Sequence, residues 1–200
     1  MRHILQLKTS LFANHGQSNQ LADKFVASLT AKHAQAQVVT RDLAHEPIPH
    51  LDAAGFQSFI AKPEDRTPEQ QARVDFSDAL VAELKTADVI VLGLPMYNLG
   101  IPSTLKSWID QVARAGITFR YTEKGPQGLL SGKKVYVFAT RGGVYAGSAF
   151  DTQTGYIKNI FAFIGITDVE FVYAEGLNMG DEARSKALAG ANDELDRIAA

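Results

Sequence analysis

Residues 9–19, near the amino end of the chain, are rich in hydroxyl and amide side chains and precede a predicted helix. Hydroxyl groups and free backbone N–H groups at a helix N-terminus can bind a phosphate, whose negative charge the helix dipole favours. The segment has neither the Gly-Lys-Ser/Thr of a P-loop nor the Gly-x-Gly-x-x-Gly of dinucleotide-binding folds. It therefore predicts a site for a single phosphate monoester. An ordinary polar turn with a serine N-cap is the alternative.

A second segment with binding chemistry is Pro95-Met96-Tyr97-Asn98. Proline ends the strand predicted before it, which leaves the next three side chains at the carboxyl end of that strand. A thioether, an aromatic ring and an amide in that position can line one edge of a flat heterocycle. A helix entry with a core tyrosine is the alternative interpretation.

The third segment is Thr140-Arg141-Gly142-Gly143. Two consecutive glycines let the backbone turn tightly and approach a ligand, with N–H donors unobstructed by a β-carbon. Each segment alone is weak evidence. Together they predict one pocket, provided that the fold brings them to the same edge.

Other kinds of site lack support in the sequence. The chain contains no cysteine, which excludes a thiolate nucleophile, a disulfide and an iron–sulfur cluster. Its five histidines show no metal-binding spacing, and no Gly-x-Ser-x-Gly elbow occurs. We therefore expect no metal and no catalytic side chain, so that redox chemistry would have to come from a bound cofactor.

The elements that position these segments alternate between strand and helix. Buried strands are predicted at residues 4–7, 89–94, 135–139 and 169–173, with a weaker candidate at 38–40. Helices are predicted at residues 18–32, 103–115, 153–164 and 181–199. Another begins after a capping box at Thr67 and Gln70, and the spacing of Phe76, Leu80 and Leu84 predicts its buried face. Residues 44–66 are interpreted as a loop. This alternation predicts an α/β fold with a doubly wound, five-stranded parallel sheet of order 2-1-3-4-5, whose ligand site lies at the carboxyl ends of the strands.

Length and composition fit one globular domain over residues 1–200. The net charge is −2, from 20 basic and 22 acidic residues, and 46% of residues are hydrophobic. A near-neutral charge argues against a nucleic-acid partner, and the hydrophobic fraction argues against disorder. No stretch has the length or apolar character of a membrane span, and we expect a cytoplasmic protein without a membrane partner.

The three segments, in this order, resemble the motifs of the FMN-dependent NADH:azoreductases, which are flavodoxin-like quinone and azo-dye reductases. Residues 114–121 and 163–168 extend the resemblance over nearly the whole chain. It implies FMN bound by Ser10, Gly16, Gln17, Ser18, Met96, Tyr97, Asn98, Leu99, Thr140, Arg141, Gly142 and Gly143. Gly16 stands where relatives commonly have a hydroxyl residue, and Leu99 where they commonly have an aromatic one. At Gly16 we expect the backbone N–H to remain available.

The resemblance also implies a homodimer with the flavins near the interface, and a ping-pong reaction. NADH would reduce the flavin and leave, and a quinone or azo compound would then be reduced in the same place. Complete cleavage of an azo bond would consume two equivalents of NADH. The family's substrate-pocket aromatics match Tyr121 and Phe163, and period-2 alternation in an extended segment places Phe119 on the same side as Tyr121.

Two further hypotheses remain open. A flavodoxin-type electron carrier is the main alternative, but carriers are usually acidic, whereas this chain is near neutral. The other is a flavin-free signalling or scaffolding domain of the same fold, which would leave the three ligand-type loops without a purpose.

Overall fold

A central sheet of five parallel strands organises the computed structural model, which describes residues 1–200. The seven strands of the chain are β1 (His3–Lys8), β2 (Gln37–Asp42), β3 (Val89–Pro95), β4 (Phe119–Thr122), β5 (Gly125–Gly128), β6 (Lys134–Thr140) and β7 (Asp168–Ala174). The sheet order is β2-β1-β3-β6-β7, and all four pairings are parallel. The predicted order 2-1-3-4-5 is therefore confirmed for the five core strands.

Six α-helices connect the strands: α1 (Gln17–Lys32), α2 (Ala53–Ile60), α3 (Pro68–Thr86), α4 (Ser103–Val112), α5 (Thr152–Ile164) and α6 (Asp181–Ala199). Short 3-10 turns lie at Ala13–His15 and Pro63–Asp65. The predicted capping box is present, because Thr67 Oγ1 accepts from the Gln70 N–H at 3.2 Å and Gln70 Oε1 accepts from the Thr67 N–H at 3.0 Å. None of the six helices combines the length and apolar character needed to cross a bilayer.

Two hydrophobic cores lie on opposite faces of the sheet. One packs α1 and α6 against the strands and is centred on Phe25, Phe138 and Leu195. The other packs α3, α4 and α5 against the opposite face and includes Trp108, which is 1% exposed. Helices on both faces explain why the strands are nearly continuous runs of apolar residues.

Two local predictions were wrong. Residues 44–66 contain the helix α2, capped by the Asp52 side chain, which accepts from the Gly55 N–H at 2.7 Å. Phe76, expected on the buried face of α3, is 42% exposed. Its neighbour Ser77 is buried instead and donates to the Gln111 carbonyl at 2.7 Å.

A two-stranded antiparallel hairpin, β4–β5, lies outside the main sheet. It packs on the carboxyl end of α5, where the Leu130 N–H donates to the Ile164 carbonyl at 2.9 Å. A β-carbon on Gly165 would lie 2.3 Å from the Leu130 oxygen, and Gly165 has a φ of 105°. Only glycine meets both requirements, so this position fixes the hairpin to α5.

Candidate functional site

An open cleft of about 240 Å³ lies at the carboxyl ends of the strands. The loops after β1, β3, β6 and β7 contribute its walls, and all three sequence-predicted segments are among them. The lining residues are Ser10, Phe12, His15, Gly16, Gln17, Pro95, Met96, Tyr97, Thr140, Arg141, Gly142, Leu177, Asn178 and Arg184. The fold therefore brings together the segments that the sequence singled out.

The N-terminus of α1 forms one end of the cleft. No side chain caps this helix, and the N–H groups of Gln17, Ser18 and Asn19 have no protein acceptor. The Ser18 hydroxyl is fully buried and also has no hydrogen-bond partner. A buried hydroxyl without a hydrogen-bond partner costs free energy, which a bound ligand could recover. This turn therefore has the unpaired donors expected of an oxyanion site.

Ser10 and Gly16 form a close contact beside this helix start. A β-carbon on Gly16 would lie 2.1 Å from Ser10 Oγ, so glycine makes room for the serine side chain. Ser10 Oγ accepts from the Phe12 N–H at 3.2 Å and lies 3.2 Å from the Tyr97 hydroxyl. The expectation of a free N–H at Gly16 was wrong, because that group donates to the Ala13 carbonyl at 3.2 Å.

The loop after β3 is a tight turn built on two residues with left-handed backbone. Asn98 has a φ of 49° and Leu99 a φ of 60°, and Tyr97 and Gly100 exchange backbone hydrogen bonds of 3.1 and 2.9 Å across them. Positive φ at both central positions defines a type I′ turn. The N–H groups of Asn98 and Leu99 have no protein acceptor. Asn98 and Leu99 are exposed beyond the residues that line the cleft.

Arg141 anchors the loop after β6 from behind. Its side chain is fully buried and forms ion pairs with Asp151 at 2.7 Å and Glu175 at 3.0 Å. Burial opposes ionisation of Asp151, but hydrogen bonds from Thr154 and Arg141 outweigh it, and the pKa of Asp151 lies below its usual value. The two terminal nitrogens of Arg141 are thus committed to protein carboxylates, whereas its Nε is buried without a hydrogen-bond partner.

The free donors of this loop belong to its glycines. The N–H groups of Gly142 and Gly143 have no protein acceptor, whereas their carbonyls accept from Asn178 and Gly176 of the loop after β7. A β-carbon on Gly142 would lie 2.6 Å from Asn178 Nδ2. The loop after β7 therefore packs closely on the glycine pair and leaves its donors available.

The aromatic residues expected at a substrate pocket lie elsewhere in the chain. Phe119 and Tyr121 share one side of β4, with ring centroids 5.5 Å apart, and Phe163 contacts Phe119 at 4.3 Å. Phe119 is buried beneath the other two, while Tyr121 is 74% exposed. None of the three lines the cleft of its own chain.

Six lining residues were not among the predicted binding residues: Phe12, His15, Pro95, Leu177, Asn178 and Arg184. Three of them follow β7, the last strand. The rule that places ligands at the carboxyl ends of parallel strands applies to this loop as well, so it was the signal that could have found them.

Comparisons with known proteins agree with this arrangement. A family model described as flavodoxin-like fold matches residues 2–199. The chain is 62% identical over 193 residues to an FMN-dependent NADH:quinone oxidoreductase of Alcanivorax borkumensis, covering 96% of this chain and 98% of the relative. It is 50% identical over 197 residues to one of Cellvibrio japonicus, covering 98% of each.

Solved structures are similar over the same length. An azoreductase from Bacillus anthracis superposes with a TM-score of 0.91 at 30% identity, covering 100% of this chain and 99% of that one. An FMN-dependent NADH-azoreductase from the same species, solved in complex with FMN, superposes with a TM-score of 0.86 at 25% identity, covering 100% of both chains.

Proposed function

The chain belongs to the family of flavodoxin-like, FMN-dependent NADH:quinone oxidoreductases and azoreductases, and on that basis we propose that its cleft binds FMN and that it reduces quinones and azo compounds with NADH. It is an oxidoreductase enzyme with FMN as its cofactor and NADH as its electron donor. The observation that carries the proposal is that the loops after β1, β3 and β6 meet in one cleft, with unused N–H donors at the start of α1 and at the glycine pair after β6.

The residues at the α1 end of the cleft suit the phosphate of FMN. Three free N–H groups and the buried, unpaired Ser18 hydroxyl would donate to its oxygens. Ser10 would complete this end through its hydroxyl, which is held in position by Tyr97 and Gly16. Gln17 contributes its backbone N–H, since its side chain donates to Gln20 at 3.2 Å.

The other end of the cleft suits a flat ring system. Met96 and Tyr97 offer apolar surface, and the N–H groups of Gly142 and Gly143 would donate to the polar edge of the ring. Thr140 joins the two loops, because its carbonyl accepts from the Met96 N–H at 2.9 Å. Asn98 and Leu99 would approach the ring through backbone N–H groups, and Arg141 would act by holding the glycines in place.

FMN, when bound, supplies the redox chemistry: it takes up a hydride from NADH and passes two electrons to the acceptor. The chain's own residues position the ring and limit access of water to it. We propose a ping-pong order, in which NAD leaves before the quinone or azo compound occupies the same place. Cleavage of an azo bond to two amines would then require two turnovers and two equivalents of NADH.

We also propose that the enzyme works as a homodimer. The expected pocket aromatics do not line their own chain's cleft, and Tyr121 is largely exposed on the hairpin. A second copy that presents Tyr121 and Phe163, with Phe119 as support, would supply the missing roof. Sedimentation should then show a dimer. Tyr121→Ala should raise KM for the acceptor without changing FMN affinity, whereas Arg120→Ala, on the opposite side of the same strand, should change neither.

Residues 1–200 would form a single FMN-binding domain in this proposal, and the cytoplasmic location expected from the sequence remains part of it. Fractionation of cells followed by activity assays would test the location.

The decisive experiment is a visible spectrum of the purified protein, followed by assays of NADH oxidation with a quinone and with an azo dye. We expect a flavin spectrum, parallel double-reciprocal plots, and two NADH consumed for each azo bond cleaved. A colourless protein that takes up no added FMN would reject the proposal. Bound FMN without NADH oxidation would instead favour a flavodoxin-type electron carrier.

A further inference from the structure

Helices α1 and α6 lie side by side and run in the same direction. Lys24 of α1 contacts Asn192 at 2.9 Å and Asp196 at 3.1 Å, whereas Lys32, two turns later, donates to the Ala200 carbonyl at 2.7 Å. Advancing along α1 therefore advances along α6. The first turns of the two helices lie at the same end, which is the end that borders the cleft.

The first turn of α6 places Arg184 in the wall of this cleft, together with His15 and Gln17 beside the start of α1. The Arg184 guanidinium forms no ion pair and no side-chain hydrogen bond, and only its backbone N–H is bonded, to the Gly180 carbonyl, although Asp181 and Glu182 are in the same turn. An arginine without a protein partner in a cleft wall is available to a ligand.

The other residues that line the cleft contribute little net charge. No Asp or Glu is among the lining residues, and the other arginine, Arg141, is neutralised from behind by Asp151 and Glu175. The backbone at the start of α1 contributes only about half an elementary positive charge through the helix dipole. A phosphate monoester carries a charge of about −1.5 to −2 at neutral pH, so backbone donors and the neutral hydroxyls of Ser10 and Ser18 leave most of that charge uncompensated.

We propose that Arg184 binds the phosphate of the FMN cofactor and makes the site selective for a phosphorylated flavin; this inference rests on the proposed function. A guanidinium presents two parallel N–H donors that match two phosphate oxygens, and it remains charged at every physiological pH. Arg184 thus supplies from α6 the cation that the lysine-free loop after β1 lacks. Ser18 and the α1 N–H groups then fix the position of the phosphate.

The test compares FMN with riboflavin, which has the same ring system but no phosphate. The protein is freed of flavin and titrated with each, with flavin fluorescence as the readout. Arg184→Gln should weaken FMN binding about tenfold, near the low end for a hydrogen bond to a charged group because the arginine is exposed, and should leave riboflavin binding unchanged. Arg184→Lys should retain most of the FMN affinity.

Lys186→Gln is the matched control, because it removes the same charge from the same helix at a residue that does not line this cleft. It should leave both affinities unchanged. The preference of the wild type for FMN over riboflavin should decrease with added salt more steeply than that of Arg184→Gln, since the variant lacks one charge.

Three outcomes would overturn the proposal. If Arg184→Gln binds FMN as tightly as the wild type, Arg184 does not bind the phosphate. If FMN and riboflavin weaken equally, the residue acts on the ring or on the fold. If FMN binding is unchanged while KM for NADH rises, Arg184 serves the donor instead. Failure of the wild type itself to bind FMN would reject the proposed function together with this inference, so the two failures are distinguishable.

Discussion

Arg141→Met should destabilise the protein strongly and loosen the cleft. The substitution removes a fully buried cation and leaves Asp151 and Glu175, which are 6% and 12% exposed, without their partner. Breaking a buried ion pair by removing one member costs about 3–5 kcal/mol. An unfolding entropy of about 2.1 cal/mol/K per residue gives roughly 0.4 kcal/mol/K for a chain of this length. Tm at pH 7 should therefore fall by about 7–12 °C.

The decrease in Tm caused by Arg141→Met should depend on pH. In the wild type the pKa of Asp151 is lowered, so its contribution to stability is present above the ordinary carboxyl pKa and is lost as the pH falls through the lowered value. In the variant the Asp151 carboxylate is buried without its cation, which raises its pKa relative to the wild type, so protonation at low pH removes part of the cost of burying it. The difference in Tm between wild type and variant should thus be smaller at about pH 4.5 than at pH 7.

Thermal unfolding followed by circular dichroism at the two pH values measures both effects, and an FMN titration measures the loosening of Gly142 and Gly143. Arg120→Met is the control, since Arg120 is exposed and bonds only to Gln127 at 2.9 Å. It should leave Tm and FMN affinity nearly unchanged. If Arg141→Met lowered Tm by no more than this control, or by equal amounts at both pH values, the buried ion-pair argument would be refuted.

Three other substitutions test separate parts of the structure. Ser18→Ala should weaken FMN binding by about 1.5–3 kcal/mol in titration without lowering the Tm of the flavin-free protein, because its hydroxyl has no protein partner to lose; unchanged affinity would contradict its role. Thr67→Ala should lower stability by about 1 kcal/mol in urea unfolding and leave FMN affinity unchanged, since the capping box lies far along the chain from the cleft loops. Gly165→Ala should detach the hairpin and increase its proteolysis, because the new methyl group would meet the Leu130 carbonyl oxygen. If the variant resisted protease as well as the wild type does, the close contact at Gly165 would be dispensable.

The central sheet was predictable because its physical cause is local in sequence. A strand covered on both faces must be apolar at every position, and residues 89–94 and 135–139 show this pattern without any knowledge of the fold. The start of α3 was predictable for a similar reason, because Thr67 and Gln70 satisfy each other's N–H groups within one turn.

The elements that were missed depend on contacts that sequence does not display. Strand β5 is Gly125-Pro126-Gln127-Gly128, a poor strand sequence, and it is extended because Gly128 packs against Gly165 at the end of α5. The helix α2 lies between Pro49 and Pro63, and because prolines are typical of loops, the segment was interpreted as a loop. The free N–H expected at Gly16 depended on the position of Ala13, which is fixed by a 3-10 turn that no sequence pattern indicated.

The two ends of the cleft differ in whether side chains or backbone groups supply the hydrogen-bond donors. Because of this difference, substitutions can change flavin affinity and substrate preference separately. In our proposal the donors at the phosphate end include Ser18 and Arg184, so substitutions there should change how tightly the flavin binds. At the end where we propose that the ring binds, the free donors are backbone N–H groups of the glycine pair, which survive a change of side chain. A residue such as Leu99, 41% exposed in a turn closed by backbone hydrogen bonds, can therefore vary with the substrate while the cofactor stays bound.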